Sequence, residues 1–254
     1  MIFQSYRPIS NLNFISKVLE KVIYSRLSAH LESFPALSKF QSAYRKFHST
    51  ETALLHIHND LLLAMNKKQV SALVLLDLSA AFDTIDHNIL LNRLRSTFGI
   101  SDTVFSLLSS YLCSRSQSVA VDHEFSSSLP LLRGVPQGSV LGPLLFSLYT
   151  TPLSHILADS SIQFHFYADD TQLYVSFSSA DSSQSLSKLS SLWILFILGS
   201  VPTVLLLILP KLSISWFATT YSVPRSLILQ YTFKRLRSLQ QIQCATWELF
   251  LTLS

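Results

Sequence analysis

Asp77 closes an apolar run, Val70–Leu76 (VSALVLL), and Asp169 and Asp170 stand side by side between two aromatic, β-rich segments, Ile162–Phe166 and Gln172–Phe177. A short apolar run ending on a carboxylate reads as a buried strand, and the two flanking segments read as a hairpin with its acids at the tip. Brought together by such strands, three carboxylates repel one another strongly outside bulk water. Divalent cations relieve that repulsion, and an all-oxygen ligand set suits Mg²⁺ or Mn²⁺. Two such ions, about 3.5–4 Å apart, can activate an attacking hydroxyl and stabilise a leaving pyrophosphate. Taken singly, each aspartate is explained as well by a strand end or a turn. The Asp-Asp pair between two aromatic strands is the stronger sign.

Several elements are needed to hold these acids. Apolar residues recur at helical spacing over Asn13–Ser33 and Thr50–Met65, the second with Ser49 or Thr50 as its cap. Asp86 can cap a helix over Asn88–Phe98, and Ser101 or Asp102 another over Val104–Leu112. Gln117–Phe125 alternates as an edge strand does, and Pro136 and Gly138 form a turn into an apolar helix over Ser139–Leu157. The whole reads as α+β. Asp83 and Asp86 are further acids, for which helix capping is a sufficient explanation. His56, His58, His87 and His165 lack metal-ligand spacing and are expected in core or surface roles.

The totals constrain less. The chain of 254 residues is 48% hydrophobic, enough for one large domain or two small ones, and only 13% charged against roughly 25% in ordinary soluble domains. Cys113 and Cys244 are too few for a disulfide framework or a cysteine zinc site, so a reducing compartment is expected. MIFQSYRPIS lacks the basic-then-apolar build of a signal peptide. The net charge of +4 arises late in the chain: residues 1–180 hold 13 Lys/Arg against 13 Asp/Glu, and residues 181–254 hold 6 against 2. Basicity therefore does not argue for a nucleic-acid groove in the body.

Five strings, YRPISNLNFISKVLEK (6–21), FQSAYRKFHSTETAL (40–54), LLDLSAAFDTIDH (75–87), GVPQGSVLGPLLF (134–146) and FYADDTQLY (166–174), resemble in this order the fingers and palm motifs of reverse transcriptases from non-LTR (LINE-type) retrotransposons. The resemblance covers residues 6–189. It implies a right-hand polymerase palm, an antiparallel sheet backed by helices, with partial fingers. It implies RNA-templated DNA synthesis, in which a primer 3′-hydroxyl attacks a deoxynucleoside triphosphate with two Mg²⁺ ions, Mn²⁺ being the alternative. The implied metal ligands are Asp77, the backbone carbonyl of Leu78, Asp169 and, as a weaker or outer ligand, Asp170. Phe82 falls where the family sets an aromatic against the sugar 2′ position; from sequence alone it reads as a core residue. Arg45 resembles the fingers arginine that grips the triphosphate, and Gln137 and Gly138 the loop that lines the nascent base pair. The implied partners are an RNA template, a DNA primer and a dNTP; oligomeric state is not legible. An intracellular location is expected.

The pattern breaks after Leu189. The family continues with an Asn-Pro-Ser-Lys-Thr-like segment, whose lysine can act as an acid toward pyrophosphate, and then a thumb; neither string is present. Residues 189–254 contain no Asp, Asn or His and a single Glu, Glu248. Back-translating Trp193–Ser200 and Ile242–Leu253 with permitted codons and shifting the frame yields family-like sequence. Residues 1–189 are therefore expected to form a truncated fingers/palm domain without a preceding endonuclease domain, and 190–254 an aberrant, frameshifted and poorly ordered tail. A catalytically inactive retroelement remnant is the alternative to an active polymerase. Leu192–Leu209 has the length of a membrane span, but Gly199, Ser200, Pro202 and Thr203 at its centre argue against that use.

Overall fold

The computed structural model describes residues 9–33, 38–78, 81–121, 123–158, 162–178 and 210–217, with residues 77, 78, 156 and 210–217 described by their backbone alone. The described residues form five helices and eight strands: α1 (Phe14–Ser33), α2 (Thr50–Asn66), β1 (Val70–Leu78), α3 (His87–Ser96), α4 (Asp102–Leu112), β2 (Arg115–Gln117), β3 (Ala120–Val121), β4 (Glu124–Phe125), β5 (Leu129–Leu131), α5 (Gly142–Ala158), β6 (Gln163–Tyr167), β7 (Asp170–Phe177) and β8 (Pro210–Phe217). The expectation of an α+β fold with an antiparallel sheet backed by helices is borne out.

The main sheet runs β6-β7-β1-β8, and every neighbouring pair is antiparallel. β1 reads as continuous hydrophobe because both of its faces are covered. Val74 and Leu76 join Phe164 and Leu173 in the main core, which α1, α3, α4 and α5 complete. On the other face Leu73 and Tyr174 meet Ile57 and Leu61 of α2. Leu90, Leu94 and Leu108 are fully buried between the helices; truncating one of them to Ala costs about 2–5 kcal/mol. β8 pairs with β1 from Ser71↔Phe217 to Leu78↔Pro210, so these eight residues of the 190–254 segment lie on the sheet edge. Leu192–Leu209 lies outside the described residues. Among the described residues no helix is long and apolar enough to cross a membrane.

Local signals explain most element ends. Ser49 caps α2 through a reciprocal capping box with Thr52. Asp86 caps α3, its carboxylate accepting the N–H groups of Asn88 and Ile89. Ser101 precedes α4 without a side-chain cap bond. α5 starts at Gly142 rather than Ser139; the Ser139 hydroxyl instead accepts the Gly142 N–H at 2.9 Å.

Two expectations fail. Gln117–Phe125 is not one edge strand: β2 pairs with β5, and β3 turns back onto β4 through His123 at φ 71°. The alternation carried no burial signal, since β3 and β4 are exposed along their whole length. Asp83 does not cap a helix either. Both its carboxylate oxygens accept the Gln137 side-chain amide, at 3.0 and 2.9 Å.

Buried polar contacts tie the N-terminal segment to the rest. Glu20, 2% exposed, lies on the same stripe of α1 as Leu27 and Leu31. One of its oxygens accepts the N–H groups of Val140 and Leu141, at 2.6 and 3.1 Å, just before α5. A carboxylate there satisfies donors the helix cannot and meets the positive end of its dipole. On the opposite face of the sheet, buried His165 bonds the Ser42 hydroxyl through Nε2 at 2.9 Å and lies 5.5 Å from the His56 ring. Tyr174 donates to Asp60 of α2 at 2.5 Å.

Two expected outcomes follow from these ties. Glu20→Ala leaves one buried and one half-buried N–H group without their acceptor and should cost about 1–3 kcal/mol, whereas Glu20→Gln, which keeps an acceptor, should cost less; urea unfolding of both variants against wild type measures the difference. His165 is pushed down to about 4, by burial first and by the nearby His56 and His48 second. The native state then binds its proton less tightly than the unfolded chain, whose histidine titrates near 6.5. Stability should therefore be full above pH 6.5 and fall as the pH drops toward 4. His165→Gln should flatten that part of the stability–pH curve.

Candidate active site

The β6–β7 hairpin closes on the pair Tyr167↔Asp170, which leaves Ala168 and Asp169 as a two-residue loop. Two-residue hairpins need positive φ, and Ala168 adopts φ 57°. For a residue with a Cβ this conformation costs roughly 1–2 kcal/mol, so neighbouring contacts must hold it. The β1–β7 register then sets the backbone of Asp77 directly opposite Asp170. Opposed Cα atoms in such a ladder are about 4.5–5.5 Å apart. Asp169 follows at the tip, half-buried, and Asp170 is exposed. The backbone thus gathers all three aspartates at one end of the sheet.

α2 covers the sheet face near Leu73 and Tyr174, and its cover ends toward the acids: Leu75 is 37% exposed and its partner Gln172 half-buried. Among the described residues, which hold Asp77 and Leu78 by backbone only, no three His, Cys, Asp or Glu side chains form a metal-holding group. The donor chemistry fits a divalent ion nonetheless. Like charges set opposite each other on a sheet are unfavourable unless neutralised, and half-buried Asp169 and exposed Asp170 lie beside the strand end that carries Asp77.

The fingers loop lies against this hairpin. Phe40–Ser42 pairs with β6: Phe166 N–H donates to the Phe40 carbonyl at 2.8 Å, and Ser42 N–H to the Phe166 carbonyl at 3.0 Å. Buried Gln41 reaches the turn, its Oε1 accepting the N–H groups of Ala168 at 3.2 Å and Ala43 at 3.0 Å. Arg45 is half-buried; both of its side-chain hydrogen bonds among the described residues leave Nη1, for the carbonyls of Ser38 at 3.0 Å and Gln41 at 3.2 Å. The Tyr44 phenol is raised above its ordinary value by burial first, then by the charge of Asp169 and by Tyr167. The loop that carries Arg45 therefore approaches the aspartate turn.

The remaining expected residues form a second group. Phe82 is half-buried, its ring 5.2 Å from that of Phe146 and packed on the main core. Its carbonyl accepts the Val135 N–H at 2.8 Å, which docks the segment leading to Gln137 and Gly138. That docking needs Gly134: at φ 90°, any Cβ would lie 3.0 Å from the Asp83 backbone. Gly138 has φ 89° with only the Ile9 side chain within 4 Å, so there the requirement is conformational. Gln137 is held by Asp83 as described, and its carbonyl accepts the Ser10 N–H at 3.0 Å. The structure thus brings Arg45 and the aspartate turn into one neighbourhood and joins Phe82, Gln137 and Gly138 in a second.

The sequence reading assigned no role to Gln41 or Glu20. Glu20 could have been found as an acid on an apolar helical stripe. Gln41 is one of the residues in the FQSAYRKFHSTETAL string, but its partner Ala168 lies 127 positions away, and no local signal announces that contact.

Comparison with known proteins agrees with this geometry. Residues 3–193 match the family model for reverse transcriptase (RNA-dependent DNA polymerase). The chain is similar to the RNA-directed DNA polymerase from mobile element jockey of Drosophila funebris, at 37% identity over 171 residues, 65% of this chain and 18% of that protein. It is also similar to the probable RNA-directed DNA polymerase from transposon BS of Drosophila melanogaster, at 34% identity over 178 residues, 68% of this chain and 19% of that protein. The chain thus spans about a fifth of the length of these relatives. Among solved structures, telomerase from Candida tropicalis in complex with a fragment of telomeric RNA superposes with a TM-score of 0.55 at 15% identity, over 82% of this chain and 34% of that one. The likeness shows a shared polymerase palm-type fold. Five ordered motifs, an aspartate turn facing the end of a central strand and a match over three quarters of the sequence lead to one conclusion: the chain belongs to the reverse transcriptase family, among those of LINE-type retrotransposons.

Proposed function

We propose that this chain carries RNA-directed DNA polymerase activity, joining a deoxynucleoside triphosphate to a primer 3′-hydroxyl on an RNA template. Reverse transcriptases use divalent metal ions; the ions proposed here are two Mg²⁺, with Mn²⁺ as the alternative. Asp77, Asp169 and Asp170, with the carbonyl of Leu78, would hold them. The observation that carries this reading is the register that sets Asp77 opposite Asp170 beside the Ala168–Asp169 turn. When bound, the ions supply activation of the primer hydroxyl and neutralisation of charge on the leaving pyrophosphate.

The chain's own residues bind and orient. A planar guanidinium suits bidentate phosphate contact, and Arg45, anchored through Nη1 in the fingers loop, offers its remaining donors to the triphosphate. Gln137 and Gly138, fixed by Asp83 and Ser10, would line the nascent base pair. Phe82, backed by Phe146, would exclude a ribose 2′-hydroxyl by bulk.

Primer extension by the full 254-residue chain on poly(rA)/oligo(dT) with dTTP tests the reading. Incorporation is expected from wild type and none above the no-enzyme level from Asp169→Ala; equal signals from the two would mean an inactive remnant. Arg45→Lys should raise the KM for dTTP about tenfold, the scale of one charge-assisted hydrogen bond, with a smaller change in kcat.

A further inference from the structure

We propose that Gln41 is a positioning residue for the aspartate turn, its side-chain amide tying the fingers loop to the hairpin that presents Asp169 and Asp170. The proposal rests on the polymerase reading for its catalytic consequence, though not for the contact itself. Gln41 is 7% exposed, and both groups facing its amide are backbone N–H donors, Ala168 at 3.2 Å and Ala43 at 3.0 Å. Only the amide oxygen can serve two donors, so the chemistry of the partners fixes the orientation of the group. Ala168 is the first residue of a two-residue loop, beyond the closing Tyr167↔Asp170 pair. Its N–H is the donor that Gln41 satisfies, at the residue whose φ of 57° is the most costly in the turn.

The geometry makes the tie specific to the turn. The parallel bridge Gln41↔Phe166 fixes the glutamine backbone two residues before the loop, and the side chain spans from there to Ala168. Arg45 braces the Gln41 carbonyl from the opposite direction. Without the amide oxygen, the bridge would still align β6, but the Tyr167–Ala168 peptide would lose the bond that holds it at the entry to the left-handed Ala168. The carboxylate of Asp169 would then sample several directions. Misplacement of a reacting group by about an ångström can cost up to about 100-fold in rate.

Gln41→Met, which keeps length but removes the acceptor, tests this in the full chain. Amide hydrogen exchange read on a peptide spanning 164–172 should be faster in Gln41→Met than in wild type, with residues 90–108 unchanged. In steady-state extension of poly(rA)/oligo(dT), Gln41→Met should lower kcat about 10- to 100-fold with little change in the KM for dTTP. Wild-type exchange across 164–172 in Gln41→Met, or faster exchange across 90–108 as well, overturns the proposed contact. A loosened turn with unchanged kcat overturns its catalytic role. Should wild type extend no primer, the polymerase reading fails by itself, and the exchange comparison still decides whether Gln41 holds the turn.

Discussion

The site depends on the register of β1. Its side chains alternate between two buried environments, Val74 and Leu76 in the main core and Leu73 against α2. A slip of one residue would send each set to the wrong face. Burying each of these side chains contributes about 1.5–3 kcal/mol, and several of them act together against one like-charge pair at the end of the ladder. Burial therefore wins. The aspartates are held opposite one another by apolar residues one to four positions away along the strand, and the site inherits a geometry that its own charges oppose. This is why the acids stand at a strand end, where Asp170 reaches solvent, instead of at the strand centre.

Burial sets register but leaves turns free, and here the fold uses polar ties. Glu20 fixes the start of α5 from α1, Asp83 holds Gln137, and Gln41 reaches the Ala168 peptide. Each satisfies a backbone or side-chain donor at a place where no ladder or helix bond is offered. Together they connect segments that lie far apart in sequence at the few points where backbone direction decides what a functional residue faces. His165 adds a tie of another kind: neutral by burial, it packs the sheet against His56 of α2 without placing a charge near the acids.

What the sequence disclosed follows from where its signals are local. The expected helices start within a few residues of α1, α2, α3 and α4, since helical period and capping residues such as Ser49 and Asp86 act within a few positions. β1 and the hairpin were legible because an apolar run and an acid-tipped aromatic pair leave few alternatives. Gln117–Phe125 was misread because alternation predicts a strand only when one face is buried, and here both are exposed. Asp83 was misread for the opposite reason: capping is a local explanation, and its true partner is 54 residues on. The aspartate trio was legible as types and spacing; the contacts that aim it were not.

The fingers loop shows why those contacts matter jointly. Ser38, Gln41 and Arg45 form one hydrogen-bonded unit, and that unit reaches the Ala168 peptide through Gln41. On the proposed roles, Arg45 meets the triphosphate and the Ala168–Asp169 turn meets the metal ions. On those roles the two ligands would bind at opposite ends of one hydrogen-bonded unit. Whatever factor nucleotide binding adds to the affinity of the turn for its ions, ion binding must add to the affinity for nucleotide. Tyr44, in the left-handed region at φ 60° and close enough to Asp169 for its phenol to sense that charge, lies between the two ends. A loop that short, with a strained residue at its centre and the turn at its end, is better suited to transmit such a linkage than to flex independently of it.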